Sequence, residues 1–382
     1  MSKVFVAFYN GLLKENLIPI FYETFCNNMK KAGNELLVEM HQYFGKNFGE
    51  IPQEKKDEIE RFNPDVCILF NNAYYTLDFL ECKKVIIESD SALYYSNRGY
   101  LKDNSEKYIF VVSQTDSINI IKKVYGNKCN VVRVPLFTDI KNKREQQDTN
   151  ISFIGTKFDV SAEKKRYRTV VKEFSDDQIV KYLKILKYLE KHPFCTNDEL
   201  KIEFIDADEI IDNIDIPVTL HMLGGEKRIN VLSQLSDLGL KIYGTRTWAD
   251  TYFYNTDISR CFCYDNISSL EQNENVYNRS KIGISISHPQ ALSGYPWRIM
   301  DIMASNAALV SDFHSDFIED FGKEAFPTYD NRFEAREICK KLIDDNEYRR
   351  EIVGKCNEII DKKFRFSNYL SRLEEAIDMQ LS

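Results

Sequence analysis

Short, uninterrupted apolar runs recur along this chain, and they constrain its fold more than any other feature. Val4 to Tyr9, Glu35 to Met40 with Leu36-Leu37-Val38 at its centre, Asp65 to Phe70, Lys84 to Ile87, Tyr108 to Val112 and Val131 to Pro135 are such runs. A strand that is apolar on both faces must be covered on both faces, which is the condition of a parallel sheet wrapped by helices. Helical periodicity over Ile20 to Lys31 and Thr115 to Tyr125 supplies the cover, and Asn10-Gly11 closes the first strand. The expected class is α/β, with a first Rossmann-like domain over 1–145. It lacks the G-x-G-x-x-G fingerprint of dinucleotide binding.

Lys141 to Asn150 (KNKREQQDTN) is polar and charged and reads as an interdomain linker. A second Rossmann-like domain is expected over 150–360, opening with the strand Ile151 to Ile154 and a glycine turn at Gly155. A charged, helical insertion over about 157–221 interrupts it. The domain then resumes at Gly224-Gly225-Glu226-Lys227-Arg228, which reads as the start of a helix closed by Gly239. Leu240 to Gly244 and Arg260 to Tyr264 read as further strands. Glu334 to Asp344, Glu347 to Asp361 and Asn368 to Met379 read as helices.

Composition narrows the function classes. The net charge of −8 argues against nucleic acid as the main partner, because a phosphate backbone demands a basic surface. No apolar run approaches the roughly 20 residues of a membrane span. Met1-Ser2-Lys3 leads straight into a strand, so no signal peptide is expected. The nine cysteines are scattered. Cys261 and Cys263 have no second pair or nearby histidine to complete a zinc site, so we expect free thiols and a cytoplasmic location.

Asn275 to Asp312 carries the densest information. It reads as a polar helix, a buried strand at Ile282 to Ile286, a loop from His288 to Gly294, a helix and a strand at Ala307 to Val310. Pro296 suits the first helical position, and Asn306 a left-handed helix end. The helix start and the amides around Gly294, Tyr295 and Trp297 would attract an anion such as phosphate, with Arg298 adding a cation. Asp301 could accept two hydrogen bonds from a vicinal diol such as a ribose. The plainer alternative is an Arg298–Asp301 pair on a helix surface, worth about 0.2–0.5 kcal/mol.

Val276-Tyr277-Asn278, Ser280-Lys281-Ile282, then Gly294, Arg298, Asp301, Ala304, Asn306 and Leu309-Val310 resemble the nucleotide-sugar half of GT-B glycosyltransferases. The pattern is most similar to the CgeB-type, spore-maturation-like branch. Asp301 stands where that branch usually has Glu, and Asn306 where it usually has Gly. The resemblance implies two Rossmann-like domains facing a cleft, a nucleotide-sugar donor on the second domain, and a donor role for Tyr277 and Gly155. It also suggests a C-terminal helix, within 361–382, that crosses back to the first domain.

A nucleotide-sugar donor needs cations for its diphosphate and acceptors for its ribose. Lys227 and Arg228 are further candidate cations, and Gly244 and Arg246 follow a strand end, where ligands gather in parallel sheets. Each has the alternative of a solvated turn. His288 could touch the donor phosphate or sugar, or simply face solvent. Asp90 and His41, each after an apolar strand of the first domain, are candidate bases for the acceptor hydroxyl. Retaining enzymes of the GT-B class that the chain resembles often carry two glutamates eight positions apart. The resemblance puts Ser293 at the first of them, where it cannot act as a carboxylate, which implies a mild tilt toward inversion. Asp206-Ala207-Asp208 is a D-x-D that could hold a divalent ion, but it lies in a run of acids and is read as incidental. The expectation is therefore a metal-independent glycosyltransferase without a cofactor. Its donor is UDP- or GDP-linked, and its acceptor a glycan, a lipid-linked molecule or a protein. A non-catalytic sugar-binding or assembly protein, or a nucleotide-sugar epimerase on the same fold, is the alternative.

Overall fold

A computed structural model describes residues 1–9, 19–41, 51–71, 73, 76–95, 98–158, 165, 168, 171–265 and 267–381. The expected turn at Asn10-Gly11 lies outside them. The chain divides into two compact units, one of residues 1–140, 268–270 and 359–382, the other of residues 141–267 and 271–358.

The first unit is built on a six-stranded sheet in the order β2-β1-β3-β4-β5-β6. Its strands are β1 (Lys3–Tyr9), β2 (Glu35–His41), β3 (Val66–Phe70), β4 (Lys83–Ile87), β5 (Tyr108–Val112) and β6 (Asn130–Arg133). Every pairing is parallel. Alternate residues of each strand feed two cores. Phe5, Cys67, Leu69, Ile86 and Phe110 face one. Val4, Val6, Ile68, Val85 and Val111 face the other. The Phe366–Ile377 helix completes the second core with Tyr369, Leu370, Leu373 and Ile377, where Phe137 meets Phe366 edge-on at 5.0 Å.

The second unit carries a five-stranded sheet in the order β11-β10-β9-β7-β8. Its strands are β7 (Thr149–Ile154), β8 (Leu240–Tyr243), β9 (Ser280–Ser285), β10 (Ala308–Asp312) and β11 (Thr328–Tyr329), again all parallel. Strand order reverses between β7 and β9, and their carboxyl ends form the place where such sheets collect ligands.

Several local expectations are corrected here. The helix expected to begin at Gly224 runs Ile216–Ser233, started by Asp215, which accepts the Val218 N–H at 3.1 Å, and by Pro217 in its first turn. Gly224 and Gly225 therefore sit mid-helix. A Cβ on Gly225 would lie 2.6 Å from the Lys157 carbonyl oxygen, so the bare backbone is what lets the loop after β7 press onto the helix. Arg260 to Tyr264 is not a strand: Asn255 caps a Thr256–Cys261 helix, and only Phe262 pairs with β8, at Ile242.

Asn306 does not close its helix in the left-handed region, since it is absent from the positive-φ residues. Its side chain instead donates to Glu145 O at 3.0 Å and Asn278 O at 3.2 Å. Asn278 in turn accepts the Lys143 and Asn306 N–H groups at 2.9 and 3.1 Å. These two asparagines thus hold Lys143 and Glu145, within the segment read as the interdomain linker, by their backbone groups. The helix after the Gly294 loop spans Arg298–Ala304, so Pro296 precedes it rather than opening it.

Candidate functional site

The carboxyl ends of β7 and β9 bring two arginines together. Arg228, on the Ile216–Ser233 helix, is 4% exposed. Its Nη1 donates to Thr156 O at 2.6 Å, and its Nη2 to Ile286 O at 3.4 Å. Its guanidinium carbon lies 4.2 Å from the centroid of Phe158 and 5.7 Å from that of Phe153. Arg298, opening its short helix, reaches the Phe153 ring at 5.4 Å. It is half-buried overall, with Nη1 fully covered and without a hydrogen-bond partner; Arg228 Nε has none either. Among the described residues neither guanidinium has an ion-pair partner.

Two like charges thus sit on aromatic rings in a site poor in solvent. Burial, with the Arg298 charge beside it, pushes Arg228 well below the ordinary arginine range. Burial lowers Arg298 too, against the fields of Tyr277, Asp312 and Asp301. Arginine ionises so far above neutrality that both stay charged, and the rings and the two carbonyls compensate the desolvation of that charge only in part. Phe158, the ring under Arg228, has φ +60°, a left-handed conformation that a bulky residue adopts only under local constraint.

The expected glycines hold this corner close. A Cβ on Gly244 would lie 2.2 Å from the Gly155 carbonyl, which also accepts from Trp248 Nε1 at 2.8 Å. A Cβ on Gly155 would lie 2.9 Å from the Phe153 ring and 3.2 Å from Arg298 Nη1. Arg246 is exposed at the start of a 3-10 segment, Arg246–Phe253, and is not drawn into the arginine pair.

His288 packs against Phe158 at 5.2 Å and His221 at 4.9 Å. The Gln290 N–H donates to its Nδ1 at 3.3 Å, so the neutral ring carries its proton on Nε2, which is covered and has no partner. Burial, then the fields of His221, Arg228 and Lys227, push it down to about 3, so the ring is neutral at ordinary pH.

Lys227 is not at a helix start as expected. It lies three turns into the helix and pairs with Asp312 at 2.6 Å. Asp312 ends β10 and accepts Ser287 N–H and Oγ, while His314 Nε2 lies 2.8 Å from Ser287 Oγ and 3.6 Å from Asp312. Burial alone would raise the Asp312 carboxyl, but the His314 contact and Lys227 hold it well below the usual carboxylate range. Serine and carboxylate meet the same imidazole nitrogen, with Nδ1 turned to Leu292 O at 3.3 Å, so this is no nucleophilic triad. Sequence reasoning missed Asp312 and His314, although a D-x-H directly after a strand was the available signal.

Three expected ligand contacts are turned inward. Asp301 is 0% exposed, and its carboxylate accepts from Asn273 Nδ2 at 3.0 Å. The short aspartate side chain stays on the buried face of its helix, so it is not presented to a ribose. Tyr277 is likewise 0% exposed. Tyr295 donates to Asp320 at 2.6 Å and packs on Phe317 and Phe321, while Gly294 beside it is buried.

In the first unit, Asp90 is exposed just past the end of β4. Asn71 orients it, donating to Asp90 Oδ2 at 3.0 Å and accepting the Asp90 N–H at 2.9 Å. Its neighbour Glu88, overlooked in the sequence, is 8% exposed, and burial pushes it up to about 7 despite Ser117 and the Ala92 N–H. His41 ends β2, and its side chain lies outside the described residues. Asp206 and Asp208 are both exposed and belong to different local structures. Asp206 has φ +59° and its carbonyl accepts Lys181 Nζ, whereas Asp208 opens a helix.

No protein-family model matches the chain, and no curated protein matches it in sequence. Solved structures do. Sucrose-phosphate synthase from Thermosynechococcus elongatus aligns with a TM-score of 0.59 at 8% identity, over 97% of each chain. Anabaena Alr3699/HepE, solved with UDP and glucose, aligns at 0.56 and 8% identity over 98% of this chain and 99% of its own. T4 phage BGT, solved with its UDP-glucose substrate, aligns at 0.55 and 13% identity over 99% of this chain and 100% of its own. The chain has the GT-B fold. At these identities the likeness is one of architecture, two Rossmann-like units in sequence. No helix among the described residues is long and apolar enough to cross a membrane.

Proposed function

We propose that this chain transfers a sugar from a nucleoside diphosphate donor to an acceptor hydroxyl. One observation carries the reading: the buried Arg228 and the half-buried Arg298 meet at the sheet's switch point with unsatisfied donor atoms and, among the described residues, no carboxylate partner. A diphosphate supplies the missing charge, and each charge-assisted bond contributes about 1.5–3 kcal/mol. The same pair would stabilise the departing diphosphate as the glycosidic bond breaks. This reading requires no metal and no cofactor. The Nε2–H of His288 is a further donor for the phosphate or sugar, and Lys227 a further cation.

The nucleotide is uridine or guanosine diphosphate. Uridine is taken first because BGT and HepE were solved with UDP or its glucose conjugate. Asp90 is the first candidate to take the acceptor proton, with His41 the second, and inversion is mildly preferred. The acceptor is a glycan, a lipid-linked molecule or a protein, in the cytoplasm, and membership of the CgeB-type branch belongs to the same reading. Calorimetry with UDP, GDP, CDP and TDP, followed by donor turnover with the nucleotide sugars, tests it. A nucleoside diphosphate is expected to bind and its sugar to be consumed only with an acceptor. Binding without turnover would favour a sugar-binding protein, and turnover without acceptor an epimerase. No binding at all overturns the reading.

A further inference from the structure

Two thiols of the first unit meet on its sheet. Cys67 is the second residue of β3 and fully buried, and Cys82 stands immediately before β4, half-buried. Their Sγ atoms lie 3.4 Å apart. The parallel register pairs Cys67 with Lys84, so Cys82, two residues earlier, falls on the same face. A disulfide needs about 2.0–2.1 Å between its sulfurs. Pairing of β4 with β3 begins only at Lys83, and Cys82 lies in a bend outside the ladder, where it can close the difference without breaking a pairing.

The surroundings give the two thiols different roles. Lys84 is buried, and its Nζ donates to Leu80 O at 2.6 Å and to Cys82 O at 3.4 Å, which fixes a cation beside the sulfurs. The Cys67 contact lowers the Cys82 thiol against its burial, and the Lys84 charge lowers it further, with Asp65 opposing. The same contact, with burial, holds the Cys67 thiol well above the usual thiol range. The shared proton therefore rests on Cys67, and the half-buried sulfur has the greater thiolate character. A thiolate beside a cation and within reach of solvent is the form that oxidants attack, and a second thiol in contact resolves the product.

We propose that Cys67 and Cys82 form a reversible redox site, closed to a disulfide by a peroxide. The Cys82 thiolate attacks one peroxide oxygen, the O–O bond breaks, and the departing hydroxide takes a proton to become water. The Cys67 sulfur then releases its proton and attacks the Cys82 sulfenic acid. The S–O bond breaks and a second water leaves, so two thiols lose two electrons in all and one peroxide is reduced. The new bond would tie β3 to the chain entering β4, the two strands whose carboxyl ends carry Asn71 and Asp90. The site is independent of any ligand on the second unit.

Mass spectrometry of the full chain after treatment with excess hydrogen peroxide tests this. Phe62 to Lys83 contains no internal lysine or arginine, so one tryptic peptide holds both cysteines. That peptide is expected to lose both alkylatable thiols and to become about 2 Da lighter, the mass of the two hydrogens removed, and dithiothreitol should restore it. Cys67→Ala should stop at a Cys82 sulfenic acid that dimedone traps. Cys82→Ser should leave Cys67 reacting with peroxide at least about tenfold more slowly. The mass shift is read on the unaltered chain, so the test stands without either variant. Three outcomes overturn the proposal: both thiols staying alkylatable after peroxide, a disulfide from either one to another cysteine of the chain, or an undiminished rate at Cys67 in Cys82→Ser.

Discussion

Arg228 and Arg298 share one aromatic ring: their guanidinium carbons lie 5.7 and 5.4 Å from the centroid of Phe153. The ring offers both cations its negative face, which offsets part of their desolvation at about 0.5–2 kcal/mol each. It cannot supply the hydrogen bonds they lack. An anion can.

Arg298→Ala is therefore expected to weaken UDP binding by about 1.5–3 kcal/mol, roughly ten- to a hundredfold. Arg298→Lys should recover only part of the loss, because an ammonium keeps the charge but neither the fork nor the stacking plane. Calorimetry on folded variants checks both. Unchanged affinity in the alanine variant would place the diphosphate elsewhere.

The glycine contacts make a second test. Gly244→Ala would drive a methyl group to 2.2 Å from the Gly155 carbonyl, a contact that only backbone movement relieves. We expect a loss of at least about 2–3 kcal/mol in urea denaturation. Gly354→Ala, where a Cβ meets nothing within 4 Å, serves as the control. Being helical, it should be neutral or stabilising by up to about 1 kcal/mol.

Asp301 and Asn273 form a buried pair, and Asp301→Ala strands the Asn273 amide. The expected cost is about 1–3 kcal/mol of stability. Because Asp301 is fully covered, any preference for UDP over its 2′-deoxy analogue should survive the substitution. Loss of that preference in Asp301→Ala alone would mean that the carboxylate does reach the ribose, with Asn273 giving way.

Glu88 predicts a pH dependence. Its folded-state carboxyl titrates near 7, above the ordinary value of 4.5. The unfolded chain releases this proton first, so between about pH 4.5 and 7 the folded state binds more protons and stability falls as pH rises. The size is of order 2–3 kcal/mol. Glu88→Gln should flatten this part of the profile, as read from urea midpoints at pH 5 and pH 8. An identical slope in both proteins would contradict the assignment.

Metal independence is tested by chelation. Donor turnover is expected to survive EDTA, and Asp206→Asn to behave as the unaltered protein. Activity lost in EDTA and restored by Mn²⁺ would return the Asp206–Asp208 pair to consideration, as would loss in the variant.

The local pattern of the chain was enough to specify its class. Runs such as Asp65 to Phe70 and Tyr108 to Val112 are apolar on both faces, and only a parallel sheet covered on both sides buries them. Arg298 was singled out in the sequence because it stands in the first turn of a helix, whose N-terminus would attract an anion, and the structure places it at the start of that helix beside Phe153. What distinguished it from Asp301, one helical turn later, was not legible. Helical spacing places both residues near one face, but whether a side chain meets solvent depends on what packs there, and Asn273 comes from another helix. Gly224 and Gly225 looked like a helix boundary because glycine disfavours helix interiors. Tertiary contact with Lys157 overrode that propensity. The clustering of Arg228 with Phe153, Phe158 and Arg298 likewise joins segments far apart in sequence, so only the folded sheet could bring two unpaired charges onto one ring.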